Sequence, residues 1–238
     1  MPTNPSEEKD LQLTIDDVAL CRDNARRLRS DASRSSAPTR PGLLELSIEE
    51  CAKGFLILFE GKIRREGADL RNPESFEKIT DSGVRSILEK HRGVLTPDAV
   101  RQAFWSHEVK LAHLEFLIDY LSYNAPKFAE LSVQMAIGDP RLPFRQRMRI
   151  LLTLGNKRNR AEAVSQSREE LQELRDLELE TLDELKEDGF YVNLSEDGTK
   201  CVPPSADEDE LEYVDWASSL VCDLLDSMLT TARTGALV

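Results

Sequence analysis

Residues 42–67, GLLELSIEECAKGFLILFEGKIRREG, decide the fold. Pro41 stands where a proline suits the first turn of a helix, and Gly67 stands where a glycine ends one. The apolar residues run round most of this helix rather than along one stripe, so it must be largely buried. Charged residues nevertheless interrupt it. Glu50 lies four residues from both Leu46 and Gly54, and so shares a face with apolar neighbours, while Glu49 lies one step round, beside Glu45 and Glu60. Lys53 is three residues from Glu50 and four from Glu49, within reach of either carboxylate. Burying a charge without a partner costs several kcal/mol, so a second element is expected to compensate.

Working outward, Thr14 followed by Asp17 reads as a helix N-cap with its acidic partner, opening a first helix that runs into the early thirties. SDASRSSAPTRPG, at residues 30–42, is a linker by composition. A short helix is expected over residues 73–91, after which Thr96 and Pro97 open a long one through DAVRQAFWSHEVKLAHLEFLIDYLSYN. In that helix Phe104, Leu111, Leu114, Ile118 and Leu121 form one apolar stripe, and His107 falls within it, with Lys110 one turn further on. His91 and His113 read as surface residues. If the two apolar helices pack together, Glu50 is placed to accept a hydrogen bond from His107 and fix its tautomer, leaving the other ring nitrogen free to move a proton. The same pattern also fits a buried polar tie between two core helices.

Beyond Pro126 the chain reads as two short helices, PKFAELSVQMAIGDP and PFRQRMRILLTLG. Residues 141–160 hold seven basic residues and no acidic one, whereas residues 168–188 form an acidic helix with Leu171, Leu174, Leu182 and Leu185 on one side. FYVNL and TKCV flank an Asp-Gly turn and suggest a small hairpin. LEYVDWASSLVCDLLDSML closes the chain as an amphipathic helix. The expected organisation is therefore all-α: a disordered stretch at 1–13, a helical bundle over 14–161, and an acidic helix, hairpin and C-terminal helix at 162–238 packed on the bundle.

A net charge of −13 argues against a binder of phosphate-rich surfaces driven by total charge. The basic residues Arg145, Arg147, Arg149, Lys157, Arg158 and Arg160 form a local exception. They fit an RNA backbone, or equally an intramolecular match to the acidic helix. No apolar run reaches membrane-spanning length and the start lacks the pattern of a signal peptide, so a cytoplasmic location and no membrane contact are expected. Cys21, Cys51, Cys201 and Cys222 are scattered without a CxxC pair, and with three histidines in the chain they suggest neither a metal site nor a disulfide framework. There is no Gly-rich phosphate loop or nucleophile elbow, and no cofactor is expected.

Several segments, in order, resemble the AbiV-type abortive-infection proteins of bacterial antiphage defence. DNARRLRSDA is similar to the family's Asn-Ala-x-Arg-Leu opening, LSIEECAKGFLIL to its Leu-x-x-Glu-Glu-x-x-Lys helix, and FWSHEVKL to its Phe-x-x-His-x-x-Lys-Leu segment. DGFYVNLSEDGTKCVPPS resembles its Gly-Leu-Tyr-Val-Asp turn, polar loop and proline. The resemblance implies an HEPN-like helical bundle, many of whose members are dimeric ribonucleases that need no metal and carry an arginine four to six residues before a histidine. Arg101 and His107 meet that spacing, as do Arg85 and His91, which lack the apolar stripe and the following lysine.

On this reading His107 is the acid or base, Arg101 and Lys110 offset phosphate charge, Glu50 orients the imidazole, and Glu49 and Lys53 complete the set. A homodimer would cut RNA and block translation in infected cells, with RNA as substrate and a phage-encoded protein as activator. On a continuous helix Arg101 and His107 are about 120° apart, so a bend, an early helix-end position for Arg101, or a second subunit is required. The competing reading is a non-catalytic helical interaction protein that binds a phage protein or the translation machinery through the leucine face of the acidic helix and the terminal helix.

Overall fold

The computed structural model describes residues 13–65, 72–95, 102, 104–138, 144–176, 193–194, 201–202 and 208–233. The side chains of some helical residues, His107 among them, lie outside that description. The described residues are predominantly helical. Seven α-helices are present among them: α1 (Ile15–Ala32), α2 (Arg40–Arg65), α3 (Ser82–Lys90), α4 (His107–Gly138), α5 (Phe144–Leu154), α6 (Lys157–Asp176) and α7 (Glu208–Arg233). Asn193–Leu194 pairs antiparallel with Cys201–Val202, in the register Asn193 to Val202 and Leu194 to Cys201. The Asp-Gly turn expected between them falls outside the described residues.

α2 is the central helix, as its all-round apolar sequence requires. It packs against α1, α4 and α7. Leu44, Ile48, Phe55 and Ile57 of α2 join Val18 and Ala25 of α1, Leu114, Leu117 and Ile118 of α4, and Val221, Leu225 and Leu229 of α7 in the main core. An aromatic core lies beneath α3, where the Phe59 ring meets Phe116 and Tyr120 edge to face at centroid distances of 4.8 and 4.0 Å.

α1 begins where expected: Asp17 Oδ2 accepts from the Thr14 backbone N–H at 2.7 Å and from its hydroxyl at 2.8 Å. Those bonds hold the Asp17 carboxyl below its ordinary pKa, the backbone bond most of all. Arginines of α1 reach α7, with Arg26 paired to Asp226 and Arg29 to Asp215 at 3.3 Å. Higher arginine numbers meet lower aspartate numbers, so α1 and α7 run antiparallel.

Three expected boundaries are corrected. Residues 73–91 form a 3-10 turn, Pro73–Lys78, and then α3, because the backbone becomes extended at Ile79 and Asp81 then caps α3 by accepting from the N–H groups of Gly83 and Val84 at 3.1 and 3.2 Å. The long helix does not run on from Pro97: Phe104 and Trp105 form a turn and α4 starts at His107, capped by the Ser106 hydroxyl, which accepts from the Val109 N–H at 3.5 Å. At its other end α4 does not stop at Pro126 but continues to Gly138. Proline removes the donor that would serve the carbonyl four residues back, which here is Ser122. Arg168 of α6 replaces it, donating to the Ser122 oxygen at 3.2 Å. The expected 161/162 division falls inside α6.

Asp81 also accepts from the Tyr123 hydroxyl at 2.9 Å and pairs with Lys127. Lys127 above all holds its carboxyl well below the usual carboxylate range. A side chain at Gly83 would overlap the Tyr123 ring. Gly83→Ala is therefore expected to cost about 1 kcal/mol, where the same change in an open helix gains about that much. A urea unfolding midpoint above that of the unsubstituted protein would refute this.

Candidate functional site

The ionisable residues of α2 divide between two neighbours. Glu49 faces α4, and its Oε2 accepts from Lys110 Nζ at 2.7 Å, with the side chains 2% and 6% exposed. Glu45, one turn before it, is fully buried. Glu50 instead pairs with Lys53 along α2, and both are half-buried on the side of α1. They lie close enough to Cys21 of α1 for the carboxylate to raise its thiol pKa and the ammonium to lower it; burial dominates and pushes the thiol up to about 11. The expected Glu50–His107 contact involves a side chain outside the described residues; of the two carboxylates, Glu49 reaches Lys110 on α4 and Glu50 pairs with Lys53. The helical period puts residues 49 and 50 about 100° apart, and α4 lies on the Glu49 side.

Lys110 is buried with it. Its ammonium is desolvated and paired with Glu49, which ties α4 to α2. His107 stands three residues earlier, in the first turn of α4. The His107 side chain and all of Arg101 lie outside the described residues. The turn at Phe104 and Trp105 separates the two positions, so the 120° offset of a continuous helix no longer applies to them. Trp105 in that turn is 87% exposed.

The other two histidines, expected at the surface, are buried. His91 Nε2 and Asp119 Oδ2 are hydrogen-bonded at 2.7 Å, and Asp119 also binds Lys90 at 2.7 Å and pairs with Arg175 of α6, tying α3, α4 and α6 together. The His113 Nδ1–H donates to the Val109 carbonyl at 2.5 Å, while its Nε2 has no hydrogen-bond partner among the described residues. The ring sits among Phe55, Leu56, Phe59 and Phe116, and burial lowers its pKa below the ordinary 6.5.

A histidine with a depressed folded-state pKa favours the fold in its neutral form. That stabilisation is present above the unfolded pKa and is lost as the pH falls through it toward the folded value. The unfolding midpoint is thus expected to drop as the pH is lowered from about 7.5 to about 5.5 across this range, and His113→Phe should flatten the drop. An identical pH slope in the variant would dismiss His113 as its source.

The basic segment lies elsewhere. Arg145, Arg149, Lys157 and Arg158 are exposed, and the Arg147 side chain lies outside the described residues. Arg158 is paired with Glu162 at 3.0 Å, and Arg160 caps α5 by donating to the Leu154 carbonyl at 3.1 Å. Leu154 and Ala163 line a cavity with Phe128 and Ala129, far along α4 from its start. At 1.5 Å per residue this places the segment roughly 30 Å from His107 along the helix. No family model, curated protein or solved structure matches the chain.

Among the described residues, no group of three His, Cys, Asp or Glu side chains is arranged to hold a metal ion, and no helix is long and apolar enough to cross a membrane. One arrangement of nucleophiles is assembled only by the fold. Cys51 of α2 and Cys222 of α7 are separated by 171 residues, yet their sulfurs are 3.3 Å apart.

Proposed function

We propose that the chain is an abortive-infection antiphage protein, acting as a homodimeric, metal-independent ribonuclease of the HEPN kind in which His107 moves the proton. The observation that carries this reading is the start of α4. A turn at Phe104 and Trp105, closed by the Ser106 cap, makes His107 the first residue of a helix, and the first N–H groups of a helix lack carbonyl partners within it. A helix start of this kind suits a phosphate, and a histidine beside it has the side chain whose ordinary pKa suits general acid–base work near neutrality.

RNA cleavage without a metal needs one group to take the 2′-hydroxyl proton, one to protonate the leaving 5′-oxygen, and cations to offset charge on the pentacoordinate phosphorus. A two-fold dimer supplies two copies of His107 and Arg101. Glu49 and Lys110 act as positioning residues that hold the helix start against α2. The exposed arginines of α5 serve an RNA strand running along the molecule rather than the scissile phosphate of their own chain.

A second reading has its own observation. Arg145, Met148, Arg149 and Leu152 lie on one face of α5, and all four are exposed, Leu152 at 71%. Such a basic and apolar stripe suits an acidic amphipathic partner, as a non-catalytic interaction protein would use. Incubating the purified full-length chain with total RNA in the presence of a chelator separates the two. Discrete fragments support the nuclease, and intact RNA at every protein concentration, with phage proteins present or absent, rejects it.

A further inference from the structure

The seam between α2 and α7 is built from small residues in matching steps. Ser47, Cys51 and Gly54 on α2 meet Ser218, Cys222 and Leu225 on α7. The pairs ascend together, so the helices run parallel where they touch. At Gly54 a Cβ would come within 2.9 Å of Leu225, which shows how closely the two helices approach. At the middle step the Cys51 and Cys222 sulfurs lie 3.3 Å apart, Ser47 Oγ and Cys222 Sγ are hydrogen-bonded at 3.4 Å, and the Ser218 hydroxyl donates to Ser47 at 3.2 Å.

We propose that Cys51 and Cys222 are a peroxide-oxidisable dithiol that closes into a disulfide and staples α7 to α2. A disulfide requires the sulfurs to close by roughly 1.3 Å, a movement within the reach of side-chain torsions across such a seam. The two thiols are unequal. Cys222 keeps 6% of its surface exposed and lies near Arg29, whose charge favours a thiolate, while Cys51 is fully buried. Cys222 is therefore the attacking sulfur and Cys51 the resolving one.

In the first step Cys222 sulfur attacks one oxygen of hydrogen peroxide. The O–O bond breaks, Cys222 becomes a sulfenic acid, and the second oxygen leaves as water with the thiol proton. Cys51 sulfur then attacks the sulfenic sulfur, the S–O bond breaks, and the hydroxyl leaves as a second water with the Cys51 proton. Two thiols have given two electrons and two protons to one peroxide. Cys51 directly follows Glu49 and Glu50, so the staple forms on the same helical turn as the brace to α4. The inference is independent of whether the chain cuts RNA.

The test uses the reduced full-length protein, treated with hydrogen peroxide, alkylated under denaturing conditions and mapped without reduction. The expected result is a peptide pair joined through Cys51 and Cys222 with loss of two hydrogens. The oxidised protein should melt higher by on the order of 5 °C. Cys51→Ala and Cys222→Ala should each abolish the link, and Cys21→Ala and Cys201→Ala should leave it. The peptide map of the unsubstituted protein decides the matter even if a variant misfolds. Recovery of Cys51 and Cys222 as alkylated thiols, a link to any other cysteine, or an unchanged melting temperature overturns the proposal.

Discussion

His107→Ala is expected to lower RNA cleavage by roughly 10²–10⁴-fold, the range over which general acid–base groups act, and to remove toxicity in cells with no loss of folding. The helix should survive because His107 occupies the first position of α4, where the cap is supplied by Ser106 and alanine is a better helix former than histidine. Circular dichroism and a urea curve establish folding, and fragment analysis of a defined RNA establishes rate. His107→Gln separates proton transfer from hydrogen bonding, since it keeps a polar side chain and loses the titrating ring. A folded His107→Ala protein that cuts RNA at the original rate would end the ribonuclease reading. Mixed dimers of one intact and one substituted chain add a further measure: if both copies are needed at one scissile bond, they should be as inactive as the doubly substituted dimer.

What the sequence revealed and what it concealed have the same physical origin. The Thr14 and Asp17 cap and the α2 helix were legible because they depend on neighbours three or four residues away. The continuation of α4 through Pro126 was not, because the donor that replaces the missing N–H comes from Arg168. The turn before His107 was hidden for the opposite reason: Phe104 keeps the helical spacing of Leu111 and Leu114, and it is Ser106, an ordinary residue inside that pattern, that begins the helix.

The candidate site shows the same division. The sequence flagged Glu49, Glu50 and Lys53 as charges on a buried helix, but which carboxylate meets which neighbour depends on the direction in which α4 lies, a fact of tertiary packing. Cys51 and Cys222 left only a faint trace. Ser47, Cys51 and Gly54, spaced at helical steps, mark a seam for close approach, and nothing in the local pattern says which helix fills it.

The Glu49–Lys110 pair carries the second large effect. With side chains 2% and 6% exposed, the two charges are almost wholly removed from water, so deleting either takes a compensating charge from the other. Lys110→Ala or Glu49→Ala is expected to destabilise the fold by about 3–5 kcal/mol, read as a fall in the urea midpoint. The pair itself is a different quantity, because its Coulomb attraction is largely offset by the desolvation of both groups. Glu49→Leu combined with Lys110→Met should therefore recover most of the loss and lie within about 1–2 kcal/mol of the unsubstituted protein. Destabilisation in the double variant as large as the sum of the singles would refute the account of a self-compensating brace.

The same double variant resolves the role of Lys110. If the lysine acts only by holding the start of α4 against α2, a packed leucine and methionine do the same, and RNA cleavage persists in the folded protein. If its ammonium leaves Glu49 to meet phosphate during the reaction, the double variant is stable and inactive. The first outcome is expected, because a phosphate competing for Lys110 would have to break a charge pair buried between α2 and α4, at a cost of several kcal/mol.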